Sequence, residues 1–176
     1  MKHLFYIQLI LILISCSENQ SDFLEKFNPN ENDKYVNTID STSLKILTAT
    51  NEVNTSVYNV NHKYYYGYKR KIDNNLYVVS YMDIYTPLNH DTNRLLGWYD
   101  IFECIYDSKR DIVTSKLRIW SSEPILSTCK IINKTYIITS LFRISLYNGE
   151  TEQTYFENKT LINKYKIIGN QYVCIE

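Results

Sequence analysis

Glycine and alanine are scarce in this chain, which has four glycines among its 176 residues and a single alanine, Ala49. Phosphate-binding loops need closely spaced glycines, because the backbone N–H groups must approach the ligand. The sequence has no G-x-G-x-x-G or G-x-x-x-x-G-K-[ST] motif, and it also lacks the G-x-S-x-G turn of many serine hydrolases. The common motif-based nucleotide sites and serine nucleophiles are therefore excluded.

Metal-ligating residues are also few. After residue 15 the chain has two histidines, His62 and His90, and it contains no C-x-x-C or H-x-x-x-H spacing. A zinc site would have to gather its ligands from distant segments. Residues 89–93 (Asn-His-Asp-Thr-Asn) carry donor atoms, but they lack the D-x-D-x-D-G order of a calcium loop and are typical of a turn. We expect no metal and no cofactor.

Charge is balanced, with 19 Lys and Arg against 19 Asp and Glu. Proteins that bind duplex nucleic acid usually carry a basic surplus on one face, so we expect no nucleic-acid partner. The hydrophobic fraction of 44% is ordinary for a globular protein, and 176 residues fit one domain. The seventeen tyrosines have two explanations, a ligand-binding platform or the codon bias of an AT-rich genome.

The N-terminus has the pattern of an export signal. Met1-Lys2-His3 gives a cationic start, and the apolar run 4–14 follows it. This run is too short for a transmembrane helix, which needs about 20 apolar residues. It matches instead the charged and apolar regions of a secretory signal peptide, and we assign residues 1–15 to that signal.

The end of the apolar run is more specific. Leu13-Ile14-Ser15-Cys16 resembles the lipobox of bacterial lipoproteins, although Ile14 stands where a small residue is more common. The resemblance implies cleavage before Cys16, lipidation of its thiol and acylation of the new N-terminus. It therefore implies a protein held in the cell envelope by its lipid. Ser17 replaces the aspartate typical of inner-membrane retention, which favours the outer membrane.

A polar segment separates this lipid site from the folded domain. Residues 16–34 are polar apart from Phe23, Leu24 and Phe27, with room for one helical turn before Asn28-Pro29-Asn30. We interpret 16–34 as the lipidated cysteine and a flexible tether, and 35–176 as a β-rich globular domain.

From residue 35 onward the hydrophobic pattern has a period of two. In Tyr136–Leu146 one face carries the apolar residues Tyr136, Ile138, Phe142, Ile144 and Leu146, with Ser140 as the only interruption, and the other carries Thr135, Thr139, Arg143 and Ser145, as in a half-buried strand. Turn-forming residues separate such runs. The strands predicted from them are 63–72, 76–85, 98–106, 112–120, 135–147, 152–157, 159–168 and 171–175, with loops at 86–97 and 121–128. The short turns predict an all-β, single antiparallel meander of ten or so strands, closed as a barrel or as a two-layer sandwich.

Three cysteines remain in the predicted domain: Cys104, Cys129 and Cys174. An exported location permits a disulfide, and an odd count allows at most one pair. The alternative is that all three are small buried apolar residues.

One segment combines aromatic and cationic residues as a possible ligand or partner face. Its members are Tyr64, Tyr65, Tyr66, Tyr68, Lys69, Arg70 and Lys71. Such a surface could stack on a sugar or bind an acidic partner. The alternative is an edge strand whose cations prevent edge-to-edge pairing.

These features favour a non-enzymatic, lipid-anchored binding module of the cell envelope, whose ligand is a protein, a glycan or a small apolar molecule. One alternative is an immunity or inhibitor lipoprotein that neutralises a toxin or a lytic enzyme. Another is a hydrolase with a dispersed carboxylate site built from Asp83, Asp100 and Glu103, which lie in otherwise apolar strands.

Overall fold

A computed structural model describes residues 19–30, 35–49, 60–87, 98–122 and 125–176. The predicted signal peptide, Cys16 and His90 lie outside these ranges. Two helices come first, α1 (Asn19–Glu25) and α2 (Ser41–Thr48). The strands that follow are β1 (Val60–Lys71), β2 (Leu76–Pro87), β3 (Trp98–Asp107), β4 (Ile112–Ser121), β5 (Leu126–Ile132), β6 (Thr135–Asn148), β7 (Gln153–Ile168) and β8 (Gln171–Cys174).

The strands form one antiparallel meander. Each strand of the eight-stranded sheet pairs with its neighbour in the chain, in the order β1 to β8. The prediction of an all-β meander is confirmed, but the described sheet has eight strands rather than ten or so, and β5 begins within the predicted loop 121–128. The predicted strands 152–157 and 159–168 are one strand, β7, because Asn158 stays in the ladder opposite Arg143.

The sheet is not closed into a barrel, and that alternative is wrong. In the described strands β1 and β8 are the two ends of the sheet. Strands β4 and β5 pair only at Ser121 and Ser127, so the sheet can bend sharply there. Hydrogen bonds then join β4 to the last hairpin: Thr114 Oγ1 donates to the Asn170 carbonyl at 2.7 Å, and the Tyr172 N–H donates to Ser115 Oγ at 3.0 Å. A two-layer sandwich remains compatible with this arrangement.

A first core fills one face of β1–β4 and lies under the two helices. Its buried members are Phe23, Phe27, Leu47, Tyr66, Val79, Tyr81, Cys104, Tyr106 and Val113. Phe23 and Phe27 are 4% and 2% exposed. The prediction of a flexible tether is therefore wrong for residues 22–30. Phe23 and Phe27 are four residues apart, and both rings are directed toward the sheet.

The segment after α1 also covers the free edge of β1. The Asn28 N–H donates to the Gly67 carbonyl at 2.9 Å, and the Lys69 N–H donates to the Asn28 carbonyl at 2.7 Å. Farther along the edge, the Tyr66 N–H donates to the Asn37 carbonyl at 2.8 Å. Chain segments thus satisfy backbone groups that an open sheet edge would expose.

A second, smaller core joins β4 to the last strands. Leu117, Tyr136 and Ile138 are its buried members. Partly buried Ile119, Cys129, Tyr165, Ile167 and Tyr172 pack against them. The fold therefore packs the middle of the meander against its last strands through side chains.

Candidate functional site

The hairpin formed by β6 and β7 extends beyond the strands on either side of it. Strand β5 pairs with β6 only from Thr135 to Leu141, and β8 pairs with β7 only from Tyr165 to Ile168. Within the described sheet, residues 142–148 and 153–159 therefore pair only with each other. We call residues 142–159 the hairpin arm.

One face of the arm continues the apolar row of the second core. Tyr136 and Ile138 begin this row and are buried, whereas the later members Phe142, Ile144 and Leu146 belong to neither core. Tyr155 lies opposite Leu146 on the same face and is 51% exposed. We call Phe142, Ile144, Leu146 and Tyr155 the apolar row of the arm.

The opposite face of the arm is also rich in exposed aromatic surface. Tyr147 is 67% exposed and Phe156 is 57% exposed. The Arg143 guanidinium carbon lies 4.1 Å from the centre of the Phe156 ring, in a cation–π contact. All ten residues from 153 to 162 are exposed, so the whole outer strand of the arm is accessible.

The exposure of aromatic side chains along the whole outer strand of the arm is unusual for a folded protein. A lone two-stranded hairpin is only marginally stable in water, and contiguous exposed apolar surface commonly marks an interaction site. The sequence carried a signal for the arm, since its residues continue the alternating run of β6. Alternation shows which face is apolar, but it does not show whether another element covers that face.

The predicted face of tyrosines and cations is not assembled as an exposed surface. Tyr66 and Tyr68 are 4% and 8% exposed. The Tyr66 hydroxyl donates to Asp40 Oδ2 at 2.6 Å, and the Tyr68 hydroxyl donates to Glu103. Burial, together with the Asp40 carboxylate, raises the pKa of Tyr66 to about 12. Tyr64 and Tyr65 are half-buried, so the proposal of an aromatic ligand face here is wrong.

The cations of the same segment serve the fold. Lys69 Nζ donates to the Leu24 carbonyl at 2.7 Å, which ties β1 to α1. Arg70 donates to the Tyr136 hydroxyl at 2.7 Å, and this bond links the two halves of the sheet. Only Lys71 is exposed. The structure thus separates these cations, because alternate residues of a strand point to opposite faces.

The three carboxylates of the hydrolase alternative do not converge. Asp83 and Asp100 are cross-strand partners, and the next carboxylate along β3, Glu103, lies three residues farther and therefore on the opposite face. Glu103 is fully buried and accepts a hydrogen bond from the Tyr172 hydroxyl at 2.9 Å. The prediction of one dispersed site is wrong for this set.

Each carboxylate of the remaining pair has a nitrogen-bearing side chain close to it. His62 Nδ1 lies 2.9 Å from Asp83 Oδ1, and an Arg118 nitrogen lies 3.7 Å from Asp100 Oδ2. Burial raises the pKa of Asp83, and the hydrogen bond from His62 opposes that rise. Lys116 belongs to β4, and its Nζ lies 4.1 Å from the centre of the Phe102 ring on β3. Among the described residues, the buried Asp100 Oδ1 has no hydrogen-bond partner.

The three cysteines of the domain are free thiols in the structure, so the predicted disulfide is not formed. Cys104 lies in the first core, whereas Cys129 packs against the second, and Cys174 is exposed at the end of β8. Burial raises the pKa of the Cys104 thiol to about 12 and that of Cys129 to about 11. The alternative of a small buried residue fits Cys104.

The described ranges contain no cluster of three or more His, Cys, Asp or Glu residues able to hold a metal ion. No helix among the described residues is long and apolar enough to cross a membrane. Comparison with protein-family models, curated proteins and solved structures found no match.

Proposed function

We propose that the protein is a non-enzymatic, lipid-anchored binding module of the cell envelope, and that the hairpin arm is its binding surface. The observation that supports this proposal is the exposed surface of the arm. Residues 153–162 are all exposed, among them Tyr155 and Phe156 at 51% and 57%, whereas Phe142, Ile144 and Leu146 on β6 are half-buried. Burying such residues against a partner is favourable by about 25 cal/mol for each Å² of apolar surface removed from water.

The geometry suits a protein partner better than the other ligand classes. Strand β6 extends past its last pair with β5, Leu141, for residues 142–148, which corresponds to about 20 Å of strand. The arm thus presents two strand edges and two faces to a large molecule. A sugar platform of tyrosines is disfavoured because Tyr66 and Tyr68 are buried. A ligand enclosed in a barrel is disfavoured because the sheet is open.

The lipid on Cys16 would keep this surface at the membrane, where its partners are concentrated. Two or more acyl chains hold a protein firmly, whereas one chain binds only marginally. Intact mass and membrane fractionation of the wild type and of Cys16→Ser test the anchor. We expect the wild type to lose residues 1–15, to gain acyl mass and to sediment with membranes, and the variant to do none of these. An unacylated, soluble wild type would refute the anchor.

Photo-crosslinking tests the binding surface in intact cells. A photoreactive phenylalanine analogue would replace Phe156 on the arm in one strain, and exposed Ile112 on β4 in a control strain. We expect an adduct of defined mass at position 156 and none at 112. Equal labelling at the two positions would contradict the proposal.

A further inference from the structure

We propose that the outer edge of the arm pairs with the same edge of a second copy of this chain, antiparallel, about a two-fold axis at Asn158. This inference rests on the proposed function, because it names a partner for the same hairpin arm. The result would be a four-stranded sheet that joins two protomers, in the order β6, β7, β7 and β6. Pairing of this kind satisfies a row of backbone groups that the monomer leaves open.

The outer edge of β7 presents backbone groups that can form such pairs. Strand β8 and the C-terminal residues reach only to Lys164, whose N–H donates to the Glu176 carbonyl at 2.7 Å and whose carbonyl accepts from the Ile175 N–H at 2.8 Å. In an antiparallel strand every second residue directs its backbone groups to the same edge. The residues whose backbone N–H and C=O groups point to the outer edge are therefore Thr154, Phe156, Asn158, Thr160 and Ile162. None of these five has a ladder partner on that edge in the described sheet.

The charges of Glu157 and Lys159 favour one register between the two copies of β7. With the axis at Asn158, Glu157 of each copy lies directly opposite Lys159 of the other. An axis at residue 157 would place the two Glu157 side chains opposite each other, and an axis at residue 159 would do the same for Lys159. Like charges in directly opposed positions are destabilising, and opposite charges stabilise the pair. In one chain these two side chains already lie 3.1 Å apart, so they are on the same face.

The same register matches the apolar residues. It places Tyr155 opposite Leu161 of the second copy, and both are about half exposed in the single chain, at 51% and 49%. This pair lies on the face that carries the apolar row, so the rows of the two protomers become one continuous surface. On the other face, Phe156 lies opposite Thr160 and Thr154 lies opposite Ile162. Aromatic–aliphatic and opposite-charge pairs are the contacts that stabilise neighbouring strands.

A second copy fits this edge better than a lipid surface does. Arg143, Glu157 and Lys159 lie in the middle of the arm, and moving charged groups into hydrocarbon is costly. Unpaired backbone groups of an open strand edge are equally unsuited to the hydrocarbon core. A second copy satisfies both the backbone groups and the charges with the same eleven residues, 153–163.

Disulfide cross-linking tests the position of the axis. The full lipidated chain, in detergent micelles and carrying Cys174→Ser to remove the exposed thiol, would receive Asn158→Cys. At the axis the two Cα atoms lie about 5.5 Å apart, within the range that a disulfide spans. The matched control is Arg143→Cys, directly opposite Asn158 on β6, whose two copies would be about 14 Å apart across three strand spacings. Mild oxidation should yield dimer for Asn158→Cys at least tenfold faster than for the control. Equal rates, or no dimer, would overturn the inference.

Charge reversal tests the register independently. Sedimentation equilibrium of the full chain in detergent should show a dimer that Glu157→Lys weakens about tenfold, because two opposed pairs become repulsive. Lys159→Glu should weaken the dimer by a similar factor. The double variant should return the dissociation constant to within about threefold of the wild-type value. Failure of the double variant to recover would refute the register.

The two proposals fail in different ways. A monomeric chain whose arm still yields a photo-adduct with another envelope protein contradicts the dimer and leaves the proposed function in place. An adduct at position 156 with the mass of a second copy supports the dimer. Loss of both the adduct and the cross-link contradicts both proposals.

Discussion

Strands β2 and β6 lie in the same sheet and each carries a row of apolar side chains on one face, but the two rows have different surroundings. On β2, Val79 and Tyr81 are 0% and 1% exposed, because the two helices lie over that face. On β6, the row is buried only as far as Ile138, and Phe142 and Ile144, which lie outside both cores, are half-buried. The difference between the two strands shows that the two-residue period of a strand determines only which side chains share a face. Whether that face is buried depends on elements distant in the chain.

The polar contacts of the two regions differ in the same way. In the body of the protein, Asp40, Tyr66 and Glu103 form bonds that join a helix to the sheet and one half of the sheet to the other. In the arm, the contacts are between near neighbours, such as the ion pair of Lys159 with Glu157. Long-range contacts of the body resist unfolding, whereas local contacts of the arm contribute little. Three substitutions test this difference, in order of decreasing effect, and a pH dependence follows from the third.

The largest effect is expected from truncating a ring in the N-terminal helical segment. Phe27→Ala removes a side chain that is 2% exposed and packs edge-on against Tyr66, with ring centres 5.0 Å apart. We expect a loss of about 3–5 kcal/mol in the free energy of unfolding, measured by urea denaturation. Phe156→Ala on the arm is the matched control, and we expect it to change stability by less than about 1 kcal/mol at concentrations that keep the chain monomeric. Equal losses would mean that the arm is packed as tightly as the body.

A smaller loss is expected from adding a single methyl group to β1. A Cβ at Gly67 would collide with the Ser80 side chain and the Tyr35 ring, and it would lie 2.9 Å from the Ser80 carbonyl oxygen. Gly67→Ala should therefore cost about 1–3 kcal/mol, because the strand must shift. The control is Gly149→Ala at the tip of the arm, where no atom lies within 4 Å of the new methyl group. A neutral Gly67→Ala would show that β1 and its covering segment are loosely packed.

The smallest effect is expected at the start of α2. Asp40 Oδ1 accepts from the Thr42 and Ser43 N–H groups at 3.0 and 2.9 Å and so caps the helix. Asp40→Ala should cost about 0.5–2 kcal/mol, whereas Asp40→Asn, which keeps an acceptor oxygen, should cost less. The unfolding midpoint in urea measures both losses. An equal loss of stability in the two variants would show that the negative charge of Asp40, rather than its hydrogen bonds to the helix N-terminus, stabilises the protein.

The same residue predicts a pH dependence. Hydrogen bonds from Tyr66 and Ser43 hold the pKa of Asp40 well below its ordinary value near 4. A lowered pKa in the folded state stabilises the protein above the unfolded pKa, and that contribution disappears as the pH falls toward the folded pKa. The stability of the wild type should therefore decrease below about pH 4 more steeply than that of Asp40→Asn. Parallel pH profiles would contradict the assignment.

The N-terminal segment shows where prediction from the sequence fails. Its polar composition indicated a tether, yet Phe23 and Phe27 complete the first core. The two rings are too few to reveal a packed helix, since the hydrophobic surface they cover belongs to strands that begin more than thirty residues later. The face proposed at Tyr64–Lys71 failed for a related reason. Its alternate side chains turn to opposite faces, and a covering segment then buries Tyr66 and Tyr68.

The sequence by itself determined the all-β class, the antiparallel meander and the apolar row of β6, because these follow from the two-residue period and from short turns. It did not reveal β5 or the continuity of β7 through Asn158. It also carries the lipobox-like Leu13–Cys16, which is a purely local signal. Only the tertiary structure decided which rows are covered, which edge stays open and how the carboxylates are divided between faces. Those outcomes depend on the bend between β4 and β5 and on the length of β6 and β7 beyond their neighbours. Contacts between residues far apart in the chain set both features, and periodicity carries no information about such contacts.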